Sequence, residues 1–421
     1  MTSIGIVGAG IAGLHLSLLL TQRGVSVTLY AERTPEDQLA GKLSSVVTRF
    51  GPTREREQAL GVNYWDEPDF GAFCFYVNVL GEYPLAFRGD LSQPAQVVDM
   101  RLYHAKLLED LLDRGVDVVY GSLIADDLTI LADSHDLVVV ASGRGSLTEI
   151  FPKVEEHSPF TEPQRHLFGG LFNGVSYPEP LGVTFAIMPG HGEMSTIPIR
   201  SFKGRQSALF CEAAPGGDFE IFATMRYEDD PKAFETLLLE QIKQHAPPIY
   251  ERINPEEFGL TRPQDLIQGA VTPVVRRGYA QLPSGKWVLA LGDAHALNDP
   301  CIAQGANAAS HAAEVVADAI VDHAIYDEAF CQAVEQQVWV NLGAATAWTN
   351  ANMMPPPEFT GQLFVAATQS QAVANAVADN FADPQRGWRV MSSADEMSAF
   401  LAELGWQPEP APEHEPEPAV A

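Results

Sequence analysis

The sequence predicts an α/β fold in which a parallel sheet is interrupted by an inserted antiparallel sheet and is followed by a C-terminal helical region. Three observations support this prediction. A short apolar strand over residues 4–7 runs directly into a glycine-rich turn and a helix. Residues 160–230 contain alternating segments separated by Pro/Gly turns, which is typical of antiparallel strands. Residues 326–403 have helical character, interrupted at Pro355-Pro356-Pro357.

The first predicted element is a β-α-β unit whose turn carries three regularly spaced glycines: Gly8, Gly10 and Gly13. This spacing before a helix, here 11–23, lets the backbone turn tightly and approach a pyrophosphate, which the helix N-terminus attracts. A second strand over 25–30 ends just before Glu32. That acid lies roughly 20 residues beyond the last glycine, where a ribose hydroxyl is expected. The unit is therefore Rossmann-like and predicts a bound dinucleotide.

A second segment, far along the chain, narrows the choice of dinucleotide. Asp293 comes directly after the apolar strand 287–291, where its carboxylate can hold a ribityl hydroxyl, with an ordinary strand-end acid as the alternative. Gly305-Ala306-Asn307 then open an alanine-rich helix over 305–323, whose N–H groups can face the N1/O2 edge of a flavin. Two segments so distant in sequence can hold the two ends of one long ligand. We therefore expect FAD; a plain NAD-binding unit is the alternative and leaves the second segment unexplained.

The elements between these segments complete the predicted fold. A helix over 99–113 begins beside Arg101, which can bond the cofactor phosphate or ring, with a salt bridge as the alternative. Strands follow at 116–120 and 137–140. The alternating segments that predict the inserted antiparallel sheet are 182–188, 195–199, 207–211 and 219–227.

The predicted elements divide the chain into four parts. The FAD-binding domain is discontinuous and comprises residues 1–50, 88–150 and 270–325. The substrate-binding domain comprises 51–87 and 151–269. A C-terminal helical region covers 326–405, and the Pro/Glu-rich tail 406–421 is predicted to be disordered.

The composition favours a globular protein that acts on small molecules. The chain has 26 Lys and Arg against 55 Asp and Glu, and its formal charge of −29 repels nucleic acids and anionic membranes. A hydrophobic fraction of 46% is enough for a core, yet no run approaches the about 20 apolar residues of a membrane span. The 4 cysteines form no Cys-x-x-Cys pair, which argues against a metal site and fits a reducing cytoplasm.

Several longer stretches go beyond the glycine fingerprint. They are Gly-Ile-Val-Gly-Ala-Gly-x-Ala-Gly-Leu-His-Leu (5–16), Arg56-Glu57-x-Ala59-Leu60-x-Val62-Asn63-x-Trp65, Val98-Asp99-x-Arg101-Leu102-Tyr103, Pro189-Gly190-His191-Gly192-Glu193, Gly292-Asp293, Asp299-Pro300, Gln304-Gly305-Ala306-Asn307 and Trp348-Thr349-Asn350. With these stretches the chain resembles the FAD-dependent epoxidase component of two-component styrene and indole monooxygenases, within the aromatic-hydroxylase superfold. The resemblance covers residues 1–400.

The resemblance implies a cofactor, a co-substrate and a set of binding residues. FAD is expected to be bound as externally supplied FADH2, and O2 is the co-substrate. A substrate double bond then attacks the distal oxygen of a flavin C4a-hydroperoxide, so the protein excludes water and orients the alkene, and no side chain is assigned as catalytic. The expected FAD-binding residues are Gly8, Gly10, Ile11, Ala12, Gly13, Glu32, Arg33, Lys42, Arg101, Gly143, Asp293, Pro300, Gln304, Gly305, Ala306 and Asn307.

The electrons are expected to come from a separate NADH-dependent FAD reductase. Single-component hydroxylases carry an Asp-Gly motif after the third strand of the nucleotide domain, which serves both FAD and NADPH. Here that place reads Ala141-Ser142-Gly143-Arg144-Gly145. A second Gly-x-Gly-x-x-Gly motif for a nicotinamide is also missing from the sequence. The isolated chain is therefore predicted not to oxidise NADH or NADPH.

The resemblance also implies a substrate pocket, whose expected residues are Ser45, Val47, Arg49, Ala72, Phe75 and Ala95. Ser45 and Ala95 match the indole-type branch, whereas the styrene enzymes carry Asn and Ser there. Val47 matches the styrene type. Arg49 matches neither, and the styrene enzymes carry Tyr and His at the places of Ala72 and Phe75. A small hydrophobic aromatic substrate of indole or styrene type is expected, with indole or another bicyclic aryl alkene favoured.

Other functions are left open by the sequence. A flavin-dependent halogenase shares the superfold and the reduced-flavin supply, but its Trp-x-Trp-x-Ile-Pro motif is missing and Lys42 is only a weak candidate for its catalytic lysine. A flavin-binding carrier without chemistry of its own is the third interpretation. The histidines His15, His104 and His295 are possible acid-base groups, but the sequence shows no obvious carboxylate partner for them, and they are interpreted as structural. The oligomeric state is undetermined, and a homodimer is one option.

Overall fold

The computed structural model describes residues 2–67, 70–143 and 145–407. Its strands are β1 Ser3–Val7, β2 Ser26–Ala31, β3 Val46–Arg49, β4 Gly71–Val79, β5 Leu85–Asp99, β6 Asp117–Tyr120, β7 Leu137–Val140, β8 His166–Asn173, β9 Gly182–Met188, β10 Gly192–Ser201, β11 Gly204–Ala213, β12 Gly259–Leu260, β13 Leu266–Ala270, β14 Val274–Val275, β15 Tyr279–Gln281, β16 Trp287–Ala290 and β17 Ala296–Leu297. Its helices are α1 Ile11–Gln22, α2 Pro35–Ala40, α3 Gly51–Leu60, α4 Met100–Asp113, α5 Asp127–Ser134, α6 Pro231–His245, α7 Pro247–Tyr250, α8 Gly305–Asp322, α9 Glu328–Met353, α10 Thr360–Gln369, α11 Gln371–Asp379, α12 Pro384–Ser392 and α13 Ala394–Glu403.

A six-stranded sheet forms the nucleotide-binding part of the fold, in the order β15-β16-β7-β1-β2-β6. The strands are parallel except β15, which runs antiparallel to β16. The consecutive residues 4–7 of the central strand β1 are all buried, as expected for a strand covered on both faces. The predicted Rossmann-like unit is therefore confirmed.

A nine-stranded sheet forms the second layer, in the order β12-β8-β11-β10-β9-β4-β5-β3, with β13 also paired to β8. Most neighbours are antiparallel, and the β10–β11 hairpin pairs Gly192 with Ala213 through to Ser201 with Gly204. The parallel pairings are β4 with β9 and a single contact of β10 with β5. The predicted insertion of an antiparallel sheet is thus confirmed in its main feature.

One predicted strand of this sheet is wrong. Residues 219–227 contain a short 3-10 turn, Glu220–Ala223, in place of a strand. Phe219 and Phe222 are both fully buried, so the inward-facing side chains are three residues apart, which suits a helical turn and not a strand. Helix α6, which follows the turn, was also not predicted within the inserted domain.

The sheet boundaries differ from the predicted domain boundaries at 50/51 and 87/88. Strand β3 pairs with β5 and belongs to the nine-stranded sheet, not to the FAD-binding part. Strand β5 is 15 residues long; it pairs with β4 from Leu85 to Gln96 and with β3 from Gln96 to Asp99. Because β5 runs without a turn across 87/88, no turn marks a boundary there in the sequence.

The C-terminal region is helical, as predicted, and closes one side of both sheets. Helix α9 packs against α8, and α11 lies on β5. The contact with β5 is polar, because Asn375 and Asp379 accept hydrogen bonds from the N–H groups of Asp90 and Ser92, each at 2.8 Å. Of the predicted disordered tail, residues 408–421 lie outside the described residues. Within the described ranges, every helix is too short or too polar to cross a membrane.

Candidate active site

The glycine turn has the shape that a pyrophosphate site requires. Gly8 has φ +114°, and a Cβ there would lie 2.4 Å from the carbonyl oxygen of Ala141. A Cβ at Gly13 would lie 1.9 Å from the carbonyl oxygen of Gly8, so both positions need glycine for close packing. At Gly10, by contrast, a Cβ would meet no protein atom within 4 Å. The open space at Gly10 faces a cavity, and a cofactor phosphate fits it.

This space belongs to a cavity of about 470 Å³ between the two sheets, called here the cofactor cavity. The N-termini of α1 and α8 border it, and so do the ends of β7 and β16. Helix N-termini attract anionic groups, which suits the pyrophosphate and the reduced flavin ring. The expected FAD-binding residues on its wall are Gly10, Ile11, Ala12, Gly143, Asp293, Pro300, Gly305 and Ala306.

Asp293 reaches this wall through a tight turn after β16. The turn Gly292–Ala294 is a 3-10 segment in which Gly292 has φ +64°. A Cβ at Gly292 would lie 2.9 Å from the Cβ of Ala12, so glycine allows the turn to pack directly on α1. The two segments that the sequence links to one cofactor therefore meet at the same cavity.

Gln304 and Asn307, which were expected to contact FAD, instead make hydrogen bonds to backbone carbonyl groups beside the cofactor cavity. The Gln304 amide donates to the carbonyl oxygens of Ile302 and Phe381, at 3.0 and 2.8 Å. The Asn307 amide donates to the carbonyl oxygens of Thr48 and Ala303, each at 2.9 Å. Both side chains are buried and neither lies on the cavity wall; only the neighbouring residues Gly305 and Ala306 do.

Arg101 is placed differently from the expectation that it binds the cofactor. Its guanidinium is buried and forms ion pairs with Asp99 and Asp265, at 2.6 and 2.7 Å. Phe202 lies over it, 5.0 Å from the guanidinium carbon to the ring centroid. Because both acids engage it, the guanidinium joins α4 to the nine-stranded sheet and does not reach the cavity wall.

Three further charged residues of the expected set lie on the surface. Glu32, Arg33 and Lys42 are exposed and are not on the wall of the cofactor cavity. Glu32 Oε1 accepts a hydrogen bond of 3.3 Å from the Ser122 hydroxyl. Their contact with FAD stays a prediction.

Among the wall residues that were not predicted to bind the cofactor, His104 and Asn298 each have a buried polar atom without a partner in the described part of the chain. His104 lines the cavity, and its buried Nε2 has no partner among the described residues. Burial lowers the pKa of His104 to about 4, so the ring is neutral at neutral pH. Asn298 also lines the cavity with a buried, unpartnered Oδ1. The sequence offered one sign of this role for His104: it lies about one helical turn after Arg101, which was expected to bind the cofactor.

A second cavity of about 780 Å³ adjoins the first and is called here the apolar cavity. It lies between the nine-stranded sheet and the C-terminal helices, with walls that include Phe87, Met194, Trp348, Leu363 and Val390. The two cavities share the wall residues Phe75, Phe185, Ser195, Phe210, Glu212, Cys301 and Phe381. The geometry thus places a large apolar space next to the cofactor space.

The shared wall is built largely of aromatic rings. The Phe75 ring centroid lies 5.4 Å from that of Phe185 and 5.1 Å from that of Phe381, both edge-to-face. Trp348 packs on Phe381 at 5.4 Å. Such contacts hold large aromatic side chains in defined positions at the wall between the cavities.

The expected substrate-pocket residues divide into two groups. Ser45 and Val47 line the cofactor cavity, and Phe75 lines both cavities. Ala72 and Ala95 are fully buried opposite each other on β4 and β5, behind the wall and not on it. They shape the pocket only through their neighbours.

Arg49, the third expected residue that does not line either cavity, lies in a buried polar network. It forms an ion pair with Glu57, whose Oε1 accepts a hydrogen bond of 2.7 Å from the Tyr103 hydroxyl. The Tyr103 hydroxyl lies 2.6 Å from His15 Nε2, and His15 Nδ1 lies 3.0 Å from the Ser310 hydroxyl. Burial lowers the pKa of His15 to about 3, so the ring is neutral and links α1, α4 and α8.

Among the residues that the structure describes, two groups of possible metal ligands come together although each combines residues far apart in sequence. Glu212, Asp299 and Cys301 form one of them, beside the wall that the two cavities share. His191, Asp218 and His245 each place a ligand atom within 4.8 Å of the others. His245 Nε2 lies 2.8 Å from Asp218 Oδ2, so the two side chains contact each other directly, and no ion is needed to bring them together. The predicted lack of a metal site stays a prediction.

Comparison with known proteins decides the family. Residues 143–252 match the family model described as the putative substrate binding domain of styrene monooxygenase A. The chain is 42% identical over 402 residues to the styrene monooxygenase StyA of Pseudomonas fluorescens, covering 94% of this chain and 97% of that protein. It is 41% identical to a second StyA, from a Pseudomonas species, over 95% of this chain and 98% of that protein. The chain belongs to the StyA family of styrene monooxygenases.

Membership of the StyA family makes the chain a flavin-dependent monooxygenase. Solved structures support the fold at much lower identity. The flavin-dependent brominase Bmp2 superposes with a TM-score of 0.67 at 15% identity, over 96% of this chain and 100% of that one. A flavoprotein/dehydrogenase from Cytophaga hutchinsonii gives 0.65 at 15% identity, over 96% and 98%. At such identities these likenesses show the fold alone.

Proposed function

We propose that this StyA-family protein uses externally supplied FADH2 and O2 to epoxidise a small aryl alkene of the indole or styrene type. The observation that carries the proposal is the apolar cavity of about 780 Å³, which shares an aromatic wall with the cofactor cavity. An apolar aromatic substrate fits the first space, and a flavin ring fits the second. Reduced FAD, when bound, activates O2 and supplies one oxygen atom to the substrate.

The residues of the chain have three tasks in this proposal. The glycine turn at Gly10 and the N-termini of α1 and α8 bind the pyrophosphate and the flavin edge. Phe75, Phe185 and Phe381 exclude water and hold the substrate ring close to the flavin, which supplies most of the rate advantage in such reactions. The neutral His104 and Asn298 offer polar contacts to the cofactor without adding charge.

One residue of the cavity wall supports an indole-like substrate over styrene itself. Ser45 lines the cofactor cavity, where the styrene enzymes carry a larger amide side chain, so more room is left beside the flavin. Val47, in strand β3 just after Ser45, instead matches the styrene type. We therefore propose a bicyclic aryl alkene such as indole as the preferred substrate, with styrene also accepted.

The reductant is proposed to be a separate NADH-dependent FAD reductase. The segment at Ala141 to Gly145 replaces the motif that serves NADPH in single-component hydroxylases, and only one glycine fingerprint is present. Gly143, from this segment, borders the cofactor cavity, so that place serves FAD.

A halogenase is the second candidate, because brominase and halogenase structures share the fold. The observation against it is the placement of Lys42, the weak candidate for a catalytic lysine. Lys42 is exposed and lies on neither cavity wall. A non-catalytic flavin carrier has no use for an apolar cavity of this size next to the flavin.

The test is an assay with indole and with styrene, using a generic FAD reductase, NADH and air. Chloride and bromide are included in parallel reactions. Epoxide, or its indole-derived product, is the expected result. A halogenated product with no oxygenated one would favour the halogenase, and flavin binding without either product would favour the carrier.

A further inference from the structure

Two acids lie together where the cofactor cavity meets the apolar cavity. Glu212, near the end of β11, lines both cavities. Asp299 caps the short turn Pro300–Ile302, whose residues border the cofactor cavity. One carboxyl oxygen of each lies within 4.8 Å of the other. The residues are only 6% and 2% exposed, so both carboxyl groups are buried within the protein.

The two carboxyl groups lack the donors that two carboxylates would need. Asp299 Oδ1 accepts a hydrogen bond of 3.1 Å from the N–H of Cys301. Asp299 Oδ2 and Glu212 Oε2 are buried without a donor among the described residues. The nearby Arg165 is engaged by Glu193, to which its Nε and Nη2 donate at 2.9 and 3.0 Å. Buried carboxyls this close cannot both be ionised, and one proton shared between them gives each a partner.

The electrostatic surroundings agree with a bound proton. Burial raises the pKa of Glu212 well above its ordinary value, and the charges of Asp299 and Glu193 raise it further, against the opposing effect of Arg165. Burial also raises the pKa of Asp299 to about 6, although the Cys301 N–H lowers it. The buried thiols of Cys301 and Cys211, which also interact with the pair, stay protonated because burial raises their pKa values well above the ordinary range.

We propose that Glu212 and Asp299 hold one proton between them and that Glu212 delivers it at the junction of the two cavities during oxygen transfer. This rests on the proposed function, in which FADH2, O2 and the alkene give FAD, epoxide and water. One oxygen atom of O2 forms two bonds to the alkene carbons; the other leaves as water, and FADH2 gives up two electrons and two protons.

The shared proton goes to the oxygen atom that leaves as water. One of the two protons lost by FADH2 then restores it, so the pair returns to its starting state after each turnover. Glu212, which reaches both cavities, is the candidate catalytic residue. Asp299 does not line either cavity and acts through Glu212, so it is a positioning residue.

The proton itself is tested first, on the full chain without flavin or substrate. Infrared difference spectra across a pH titration follow the C=O band of a protonated carboxyl in the wild type, Glu212→Gln and Asp299→Asn. Asp110→Asn is the matched control, because Asp110 is a buried acid bonded to Tyr64 at 2.6 Å, away from both cavities. At pH 7 the band should be present in the wild type and Asp110→Asn, and lost in Glu212→Gln. In Asp299→Asn the band should titrate at lower pH than in the wild type, because the charge of Asp299 no longer raises the pKa of Glu212. A wild type without the band at pH 7, a band that survives in Glu212→Gln, or a wild-type titration in Asp299→Asn would overturn the proposal.

The delivery step is tested with a reductase, NADH and the aryl alkene. Glu212→Gln should form product about 100-fold more slowly, the usual range for a lost general acid, while its FAD affinity is unchanged. The wild-type rate should fall at alkaline pH, where the pair loses its proton, and this fall should be absent in Glu212→Gln. A variant equal to the wild type in rate and pH profile would refute proton delivery and leave the epoxidase function standing. A wild type that converts no alkene, even with the band present, would refute the proposed function and the delivery step with it.

Discussion

The side-chain amide of Asn307 donates a hydrogen bond of 2.9 Å to the carbonyl oxygen of Thr48, joining helix α8 to strand β3. The Asn307 Oδ1 accepts from the N–H of Phe50 and the hydroxyl of Thr53, at 3.1 and 2.8 Å. The first residues of α8 and the side chain of Val47 in β3 line the same cavity. Asn307 therefore sets the distance between the cofactor side and the substrate side of the site.

Asn307→Ala should lower the free energy of unfolding by about 3 kcal/mol, since it leaves several buried backbone groups without partners. Urea denaturation measures this loss. Asn63→Ala is the control, because the half-buried Asn63 amide makes one side-chain bond, to Asp66 at 3.2 Å. Equal losses for the two variants would contradict the bridging role of Asn307.

Asp293→Ala should weaken FAD binding without unfolding the protein. A hydrogen bond from a ligand to a charged group contributes roughly 1.5–3 kcal/mol. Fluorescence titration with FAD measures the affinity. Asp318→Ala, at a surface ion pair with Arg23, should bind FAD like the wild type. If Asp293→Ala does the same, Asp293 is not a cofactor ligand.

Ser45→Asn should shift the ratio of indole to styrene turnover towards styrene, because the larger side chain narrows the space beside the flavin. Ala95→Ser should produce a smaller shift, since Ala95 is buried behind the wall and acts only through its neighbours. Both variants should keep the FAD affinity of the wild type. Competition assays with both substrates give the ratio. A ratio unmoved by either change would mean that these residues are wrongly assigned to the pocket.

The free energy of unfolding should fall as the pH falls from about 6.5 towards 3, in part through His15. Burial, with the charges of Arg56 and Arg49, lowers the pKa of His15 from 6.5 to about 3 in the folded protein. The unfolded chain therefore binds a proton in this range that the folded chain does not, and acid favours unfolding.

His15→Gln should reduce the slope of unfolding free energy against pH in this window by up to one proton. Urea denaturation at a series of pH values gives the slope. His323→Gln, which changes an exposed histidine, is the control variant. An unchanged slope in His15→Gln would show that His15 titrates normally in the folded protein.

The purified chain should not oxidise NADH or NADPH, with or without FAD and substrate. Hydride transfer requires the nicotinamide to be held against the flavin, and the chain has no second dinucleotide motif to hold it. Absorbance of NADH measures consumption. Any free FAD reductase should restore oxygen transfer, because reduced FAD can diffuse. Stoichiometric NADH consumption by the isolated chain would contradict the need for a separate reductase and would favour a single-component hydroxylase.

Local patterns predicted the fold well where neighbouring residues decide the structure. The strand ending at Val7, the turn at Gly8 and the helix after it follow from short-range sterics and hydrophobic period. Residues 219–227 were wrongly predicted to form a strand. Their apolar side chains are spaced three residues apart, and in the sequence alone this spacing looks like the irregular alternation of a short strand. The predicted domain boundary at 87/88 falls inside the long strand β5. No turn residue in the sequence marks where the partner of β5 changes from β4 to β3.

Side-chain partners depend on packing between distant segments, which no local pattern carries. By itself the sequence determined the Rossmann-like unit, the inserted sheet, the helical C-terminus and the family, because these rest on local periodicity and on exact motifs. Only the tertiary structure decided that Arg101 is held by Asp99 and Asp265, that Phe381 of the C-terminal region completes the wall between the cavities, and that Glu212 meets Asp299. Each of these pairings is made by the burial of charged or aromatic groups between layers, and burial is a property of the folded chain as a whole.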